Sequence, residues 1–338
     1  MVLPVFSGPS AGATQNSLYG LLVLMGVVGN TLVAGTLSWA FLQQRFIEQS
    51  DFILLNMTLS NLLVSFFRNI LLFLSSLGME AFLSQSWCKI FMCLWVWFRS
   101  VNVWMTFCLS AFHFAVIRRN KPAPSAGLTA SHASQELRRL LLVIGLVWVI
   151  NLIYTLPLLM FSTTGSRNST ETLMVISSST RPVLGCVWNF PSQYSGLAFA
   201  TVSLVMHEAL PIVLMLGTNL ATLYRLHTHG RIVGVVQESL SRRVPAERKA
   251  AKVILLLTVL FIVPWGTSLV SLNYYNYNKG PSRDYLLVLA TFSNSLFIAL
   301  SPLVLAAGHS KLRSKLKYIL KRGGVFLGGV GGTVTGPH

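Results

Sequence analysis

Hydrophobic residues occur along this chain in seven long runs that are separated by polar segments. The runs lie at roughly 17–41, 52–78, 88–118, 139–162, 193–225, 249–274 and 284–307. A run of about 20 apolar residues is long enough to cross the hydrocarbon core of a bilayer as an α-helix. The pattern therefore predicts an all-α protein, with a seven-transmembrane helix bundle that occupies residues 17–307.

The fourth to seventh runs each contain a proline. These prolines are Pro157, Pro211, Pro264 and Pro302. An internal proline removes a helical hydrogen bond, but neighbouring helices in a membrane protein satisfy the freed carbonyl groups. The runs therefore keep their helical assignment, and Pro211 and Pro264 become candidate bending points.

The composition supports a membrane protein and adds a strong positive charge. Of the 338 residues, 53% are hydrophobic and only 10% are charged, whereas about 25% are charged in soluble domains. Lys and Arg number 26 against 9 Asp and Glu, which gives a net charge of +17. Nucleic-acid-binding proteins also carry such a charge, but these basic residues lie between the apolar runs. We therefore expect orientation in a membrane and no nucleic-acid partner.

Familiar catalytic motifs are missing from the sequence. It contains no glycine-rich phosphate loop, no HExxH, no Cys-x-x-Cys pair and no GxSxG. We therefore expect no enzyme activity, no cofactor and no metal site.

The basic residues are distributed unequally among the connecting segments. They concentrate between runs three and four, between runs five and six, and after run seven. Because cytoplasmic loops carry the excess of lysine and arginine, we place these segments inside the cell and the N-terminus outside. Basic residues near the inner ends of runs three, five and six are Arg118, Arg119, Arg225, Arg248 and Lys252. We expect most of them to orient the helices and to contact lipid phosphates.

Two features of the predicted outer side agree with this orientation. Asn168 begins an Asn-Ser-Thr glycosylation motif between runs four and five. Cys88 begins run three, and Cys186 lies in the same outer segment as Asn168, so that a disulfide is chemically allowed there. The alternative is two unrelated thiols. Cys93 and Cys108 lie deeper in run three, and we expect them to be buried free thiols.

The two ends of the chain differ from the apolar runs. Residues 1–16 carry no charge, and we expect a short flexible extracellular tail without a cleaved signal peptide. In residues 308–322, apolar residues repeat at helical spacing opposite lysines and arginines. This pattern predicts an amphipathic helix on the cytoplasmic membrane surface. The glycine-rich residues 323–338 are predicted to be disordered.

Charged residues inside the apolar runs are the strongest candidates for function. Glu208 and His207 lie in the middle of run five, Arg99 lies in run three and Arg68 in run two. An ionised group at the bilayer centre costs about 2.5–3.5 kcal/mol on insertion scales, so it should face the bundle interior and have a partner. Arg99 lies about 16 Å below Cys88 along a helix that rises about 1.5 Å per residue.

Several strings in the sequence resemble those of G-protein-coupled receptors, with departures from the rhodopsin-like pattern. "GN" at 29–30 matches, whereas "LSNLL" has Asn61 in place of the usual Asp. The foot of run three reads "FHFAVIRR", with His113 where an arginine is usual. Run seven reads "LSPLVL" without Asn-Pro-x-x-Tyr, and run six has Pro-Trp at 264–265 in place of Cys-Trp-x-Pro.

These departures resemble one branch, the vomeronasal type-1 receptors. The strings that carry the resemblance are "CK" at 88–89, "FRSV" around Arg99, "CLSAF" from Cys108, "FFRNI" in run two and "SPLVL" in run seven. Within that branch, "HEALP" at 207–211 is most similar to the fish-type olfactory receptor class A-like group. Bitter-taste receptors also lack the common motifs and are the nearest alternative.

The resemblance implies a chemosensory receptor for pheromones or odorants in the plasma membrane. A small-molecule ligand would bind in the outer half of the bundle, where helices two, three and five line a cavity. We therefore predict that Arg99 and Glu208 face each other across it. With Arg68, two positive charges would face one negative charge, which favours a small anionic ligand such as an organic acid. The alternative reading of Arg99 and Glu208 is a structural ion pair.

The remaining predicted site residues lie at both ends of the bundle. Trp95 and Phe98 lie near Arg99 along run three, Tyr194 lies near the outer end of run five, and His207 precedes Glu208; all four are predicted to contact ligand. On the inner side, the resemblance implies that His113 and the basic rim face a heterotrimeric G protein of the inhibitory or another type.

A small-solute transporter is the alternative from another class of protein. Transporters also bury charges near the membrane midplane, but they usually contain internal repeats. We find no repeat of one half of this chain in the other, which favours the receptor.

Overall fold

The computed structural model describes residues 9–44, 48–78, 84–118, 129–164, 186–233, 243–277, 283–308 and 313–314. Within these ranges, seven helices are long and apolar enough to cross a membrane. The predicted fold, a bundle of seven membrane helices, is therefore confirmed.

Four of the seven helices are continuous α-helices. They are α1 (Pro9–Gln44), α3 (Gln85–Arg118), α6 (Arg243–Tyr277) and α7 (Arg283–Gly308). The others are divided. In α2, a π-helical segment (Ser65–Ile70) separates Gln49–Val64 from Leu71–Ser76. In α4, Thr129–Thr155 is followed by the short segment Pro157–Phe161. In α5, a π-helical segment (Val205–Ala209) separates Gln193–Leu204 from Leu210–Val233.

The first helix begins earlier than its apolar run. It starts at Pro9, inside the segment 1–16 that was expected to be a flexible tail. The side chain of Asn16 donates a hydrogen bond to the backbone carbonyl of Ser76 at 2.9 Å, which holds this polar part of α1 against the outer end of α2. Hydrophobicity marks only the part of a helix that crosses the membrane, so it missed the polar turns before it.

A short β-hairpin covers part of the outer side and is the exception to the all-α prediction among the described residues. Strand β1 (Ser162–Thr164) pairs antiparallel with β2 (Cys186–Trp188). Cys186 in β2 forms a disulfide with Cys88 of α3, as the sequence allowed, and Cys93 and Cys108 are free thiols. Strands of three residues are too short to show an alternating pattern in the sequence.

Helix α3 lies at the centre of the bundle. It packs against α2, α4, α5 and α6, and its residues Val101, Met105 and Leu109 are buried in the main hydrophobic core. By contrast, α4 has the smallest buried share of the seven spans and exposes large apolar side chains such as Leu142 and Ile150. Such a surface is expected where a helix contacts lipid.

Two predicted segments lie mostly outside the described residues. Of the amphipathic helix expected at 308–322, Arg313 and Ser314 are helical and exposed. Asn168 and the C-terminal segment 323–338 are not described, so their predicted glycosylation and disorder stay predictions.

Candidate ligand-binding site

Helix α5 presents Glu208 to the interior from a π-helical turn. This turn, Val205–Ala209, lies directly before Pro211, whose ring conflicts with the carbonyl group four residues earlier. Single π-helical turns of this kind often occur at functional sites. Both Glu208 and its neighbour His207 are buried, although successive residues point about 100° apart in a regular helix.

An ion pair joins α3 to α5 in the middle of the bundle. Nη2 of Arg99 lies 2.7 Å from Oε1 of Glu208, and the side chains are 19% and 5% exposed. The second carboxylate oxygen, Oε2, accepts a hydrogen bond of 2.6 Å from Nε1 of Trp265 in α6. Both oxygens of the buried carboxylate therefore have a donor, and the three side chains connect three helices. Arg99 and Glu208 are in direct contact, which is the geometry of the alternative reading, an ion pair between two helices. Glu208 does not line the larger cavity beside this pair, and its contact with a ligand stays a prediction.

A cavity lies next to this ion pair, between α2, α3, α6 and α7. It leaves about 60 Å³ for the centres of water-sized molecules, well above the roughly 10–15 Å³ that a single buried water requires. Its walls combine aromatic rings with cationic, amide and hydroxyl groups. The lining residues that carry the argument are Arg68, Trp95, Arg99, Trp265, Ser293 and Asn294.

Arg68 reaches the cavity from the π-helical segment of α2. Its Nη1 donates a hydrogen bond to Oδ1 of Asn69 at 3.1 Å. Its guanidinium carbon lies 5.8 Å from the centre of the Trp95 ring, within the range of a cation–π interaction. The Ser295 hydroxyl of α7 donates to the same Asn69 oxygen at 3.3 Å. Arg68 is thus held by an amide and an aromatic face, and no salt bridge joins it to a described carboxylate.

The structure brings only some of the predicted aromatic residues to the cavity. Trp95 lines it. Phe98 instead stacks on Trp97, with ring centroids 5.0 Å apart, and packs against Trp148 of α4. Tyr194 is 82% exposed at the outer end of α5 and lies outside the cluster. The two residues face away because α3 and α5 are rotated so that these positions contact α4 and the surroundings.

His207 lies on the other side of Glu208. Its ring centroid lies 4.3 Å from that of Tyr154 in α4, and neither ring nitrogen has a hydrogen-bond partner among the described residues. His207 also borders a second space, next to Ser203 and Glu208, that leaves about 10 Å³ for water-sized molecules. It is separate from the cavity at Arg68.

The comparison with known proteins identifies the family. Residues 29–303 match the family described as 7 transmembrane receptor (rhodopsin family). The chain belongs to this receptor family. It is 45% identical over 309 residues to Olfactory receptor class A-like protein 4 of Danio rerio, covering 90% of this chain and 89% of that protein. It is 24% identical over 294 residues to Olfactory receptor class A-like protein 1 of Danio rerio, covering 86% and 88%.

Family membership confirms several of the expectations from the sequence. The protein is a multi-pass receptor of the plasma membrane and not an enzyme. As a member of this family it binds small molecules and couples to a G protein. The family match also decides against the transporter alternative.

In this receptor a neutral polar network lies below the cavity, where the sequence departs from the rhodopsin-like pattern. The amide of Asn61 donates to Oδ1 of Asn30 at 3.0 Å and to Oγ of Ser301 at 3.1 Å. Asn102 of α3 donates to Oδ1 of Asn61 at 2.6 Å and to Ser60 at 3.0 Å. The network joins α1, α2, α3 and α7 without any ionised group. Asn102 also lines the cavity, so it connects the two.

The inner ends of the receptor's helices carry part of the predicted G-protein surface. Arg118 and Lys252 are exposed, and Arg225 is half-buried. His113 is half-buried and packs edge-on against Phe112, with ring centroids 5.6 Å apart. Arg119 and the side chain of Arg248 lie outside the described residues. Their role in binding a G protein stays a prediction.

Sequence reasoning missed four residues of the site: Trp265, Asn102, Ser293 and Asn294. Asn102 was accessible from the sequence, because it follows Arg99 by three residues and so shares its helix face. Trp265 was noticed only as a departure from a family pattern. Helix α6 is nearly uniformly apolar around Trp265. In α7 the polar residues 293–295 are consecutive and so point to different sides of the helix, which left the cavity-facing side undetermined.

Proposed function

We propose that this receptor is a chemosensory receptor of the vomeronasal type-1 branch that detects a small anionic organic molecule. The branch is supported by strings such as "FRSV" and "SPLVL". A chemosensory role is supported by the 45% identity to a protein named an olfactory receptor class A-like protein. Ligand binding would activate a heterotrimeric G protein on the inner side.

The charge balance around the cavity is the main support for an anionic ligand. Arg68 and Arg99 both line it, whereas Glu208 is the described carboxylate nearest to them and is paired with Arg99 and Trp265. One positive charge, that of Arg68, is therefore left over. A carboxylate that enters the cavity would gain a charge-assisted hydrogen bond, which is roughly twice as strong as a neutral one.

The size of the cavity favours a short molecule. A space of about 60 Å³ for the centres of water-sized molecules suits a carboxylate with a few carbon atoms, and the rings of Trp95, Phe261 and Phe297 in its wall suit an apolar chain. We therefore expect short aliphatic or compact cyclic acids, and we expect bulky ligands to need an opening of the bundle.

In this proposal the Arg99–Glu208 pair couples ligand binding in the cavity to movement of the helices. Together with Trp265 it joins α3, α5 and α6 at the edge of the cavity. A ligand that fits one arrangement of these helices better than another shifts the population toward it. Pro211 and Pro264 lie close to this point in α5 and α6, where an interrupted hydrogen-bond ladder permits bending. Bending of α5 and α6 at these prolines would then move their cytoplasmic ends, where the G protein binds.

The test compares three probes that share one carbon skeleton: pentanoate, pentanol and pentylamine. The receptor is expressed with a promiscuous G protein, and calcium release is recorded beside Arg68→Gln, Arg99→Gln and Glu208→Gln at matched surface levels. We expect pentanoate alone to activate, and Arg68→Gln to raise its half-maximal concentration by about 10- to 100-fold, as the loss of a hydrogen bond to a charged group predicts. Activation by pentylamine, or an unchanged response of Arg68→Gln, would contradict the proposal.

A further inference from the structure

The environment of Arg68 leaves its charge without a counter-ion. The guanidinium has five N–H donors, and the contacts described for it are one amide oxygen of Asn69 and the face of Trp95. Arg68 is half-buried, and an unpaired charge that has lost part of its hydration is costly. A charge of this kind favours any small anion that reaches it.

Three of the described carboxylates other than Glu208 lie far from this point. Glu48 and Asp51 stand at the inner start of α2, and Glu136 lies near the inner start of α4. Arg68 follows Asp51 by 17 residues in the same helix, or about 25 Å at 1.5 Å per residue. Asp284 begins α7 on the outer side, 11 residues before Ser295, or about 16 Å along the helix, and its side chain lies outside the described residues. Among the described side chains of the outer half of the bundle, Glu208 is therefore the carboxylate closest to Arg68.

Further hydrogen-bond donors lie in the same cavity. The Ser293 hydroxyl and the Asn294 amide line it together with Arg68, and no hydrogen bond of either side chain to another described residue is present. Unpaired donors beside a cation are the chemistry that an anion requires, since each N–H or O–H replaces one water of its hydration shell.

We propose that, when no organic ligand is present, the cavity holds an inorganic monovalent anion, chloride, bound at Arg68. The ion enters from the outside solution and neutralises the guanidinium. A space suited to several waters accommodates one chloride ion and part of its hydration. This inference shares Arg68 with the proposed function and adds to it a resting occupant, which an acidic ligand must displace.

The neutral side chain of Asn69 keeps this site open. Its Oδ1 accepts both described hydrogen bonds, from Arg68 at 3.1 Å and from Ser295 at 3.3 Å. Asn69→Asp is nearly isosteric and preserves both acceptor contacts, but it places a negative charge against Arg68. The substitution therefore supplies the counter-ion covalently, which makes it a sharper test than removal of the arginine.

The experiment measures the unfolding temperature of the purified full-length receptor in sodium chloride and in sodium gluconate at equal concentration. Gluconate is a longer carboxylate than pentanoate and carries five hydroxyl groups, which the apolar wall of Trp95, Phe261 and Phe297 cannot hydrate, so it is excluded from the cavity while it keeps the ionic strength constant. For the wild type we expect chloride to raise the unfolding temperature by about 2–4 °C, with saturation, because a ligand that binds only the folded state stabilises it. Arg68→Gln and Asn69→Asp should both lose this difference, and Asn69→Asp should be the more stable protein in gluconate. Arg313→Gln, which removes an exposed arginine at the inner side, should keep it.

The outcomes separate this inference from the proposed function. Equal unfolding temperatures of the wild type in the two salts, or a chloride effect that persists in Asn69→Asp, overturn the chloride site. If the chloride effect is present and depends on Asn69 while no organic acid activates the receptor, the site stands and the proposed function fails. If acids activate with equal potency in chloride and in gluconate, the proposed function is supported and the chloride site is overturned. We expect instead that chloride raises the half-maximal acid concentration several-fold.

Discussion

At the scale of single residues, Glu208 shows what allows a carboxylate to lie inside an apolar run. Arg99 neutralises one of its oxygens at 2.7 Å, and Trp265 donates to the other at 2.6 Å. The group is thus both paired and fully hydrogen-bonded, the two conditions under which a buried ion is tolerated. Loss of any one of these three side chains therefore leaves a polar or charged group of the others without its described hydrogen-bond partner.

Removal of both members of this pair should cost less stability than the sum of the two single removals. Arg99→Gln leaves the Glu208 carboxylate buried with Trp265 as its described donor, and Glu208→Gln removes the carboxylate that faces the half-buried Arg99 guanidinium. Each substitution should cost about 3–5 kcal/mol of folded-state stability. The double substitution should cost clearly less than the sum, because two amides can bond each other. The unfolding temperatures of the four purified proteins, or their surface levels in cells, measure this coupling.

A strictly additive effect of the two substitutions would show that Arg99 and Glu208 do not interact. Arg313→Gln is a suitable control, because this arginine is exposed, and it should leave the unfolding temperature nearly unchanged.

Of the two partners of Glu208, the sequence predicted Arg99 but not Trp265. Inside a membrane an ion must find an opposite charge, and Arg99 was the basic residue at a suitable depth in run three. A tryptophan N–H carries no such requirement, so Trp265 did not stand out. Phe98 and Tyr194 were assigned to the site because they lie near Arg99 and near the outer end of run five in the sequence. They do not line the cavity, since the rotation of a helix about its axis decides which side its residues face.

At the scale of elements, close contact between α1 and α7 depends on the absence of a side chain. A Cβ at Gly29 would lie 2.9 Å from Cβ of Pro302, whereas a Cβ at Gly35 would meet nothing within 4 Å. The next residue of α1, Asn30, donates its amide to the carbonyl of Ile298 at 2.9 Å, one helical turn before Pro302 in α7. Gly29 therefore sets the distance at which this hydrogen bond forms.

Gly29→Ala should destabilise the receptor by about 1–3 kcal/mol through overpacking. Gly35→Ala is the matched control in the same helix, and it should be neutral or stabilise by up to about 1 kcal/mol because Ala favours helix. Thermal unfolding of the two variants beside the wild type tests the difference. Equal behaviour of the two alanines would mean that α1 and α7 are not in close contact at Gly29.

The disulfide between Cys88 and Cys186 fixes β2 over the outer end of α3. Cys88→Ser should lower stability by about 2–5 kcal/mol and reduce the amount of receptor at the cell surface. Cys108→Ser, which changes a free thiol, should have a smaller effect. Treatment of intact cells with a reducing agent should lower ligand response in the wild type and in Cys108→Ser alike. A response that survives reduction in both would contradict a structural role for this bridge.

The seven spans were predictable because about 20 consecutive apolar residues have few alternatives to a membrane helix. The interruptions were not. The π-helical segments of α2 and α5 each add a residue to a turn, which shifts the phase of the helix faces. The two runs are apolar on almost every side, so the sequence does not show this shift. Only Pro211 hinted at one of them, and nothing in the residues 65–70 marks the other.

At the scale of the whole molecule, the polar groups form three layers along the bundle. The outer layer is the cavity with Arg68, and the middle layer is the Arg99–Glu208 pair with the asparagine network below it. The inner layer is a cluster in which the Asn219 amide donates to Thr258 at 2.9 Å and to Ser110 at 3.3 Å. Each layer joins α3 to other helices, so a change in the packing of α3 affects all three.

The central claim is that the charge of Arg68 selects the ligand. The most direct test is the charge reversal Arg68→Glu, recorded as calcium release with pentanoate and with pentylamine at matched surface expression. We expect the wild type to respond to pentanoate, and Arg68→Glu to lose this response and gain one to pentylamine, because the cavity then holds a surplus negative charge. A response to pentanoate that is unchanged in Arg68→Glu would show that the charge of Arg68 does not select the ligand.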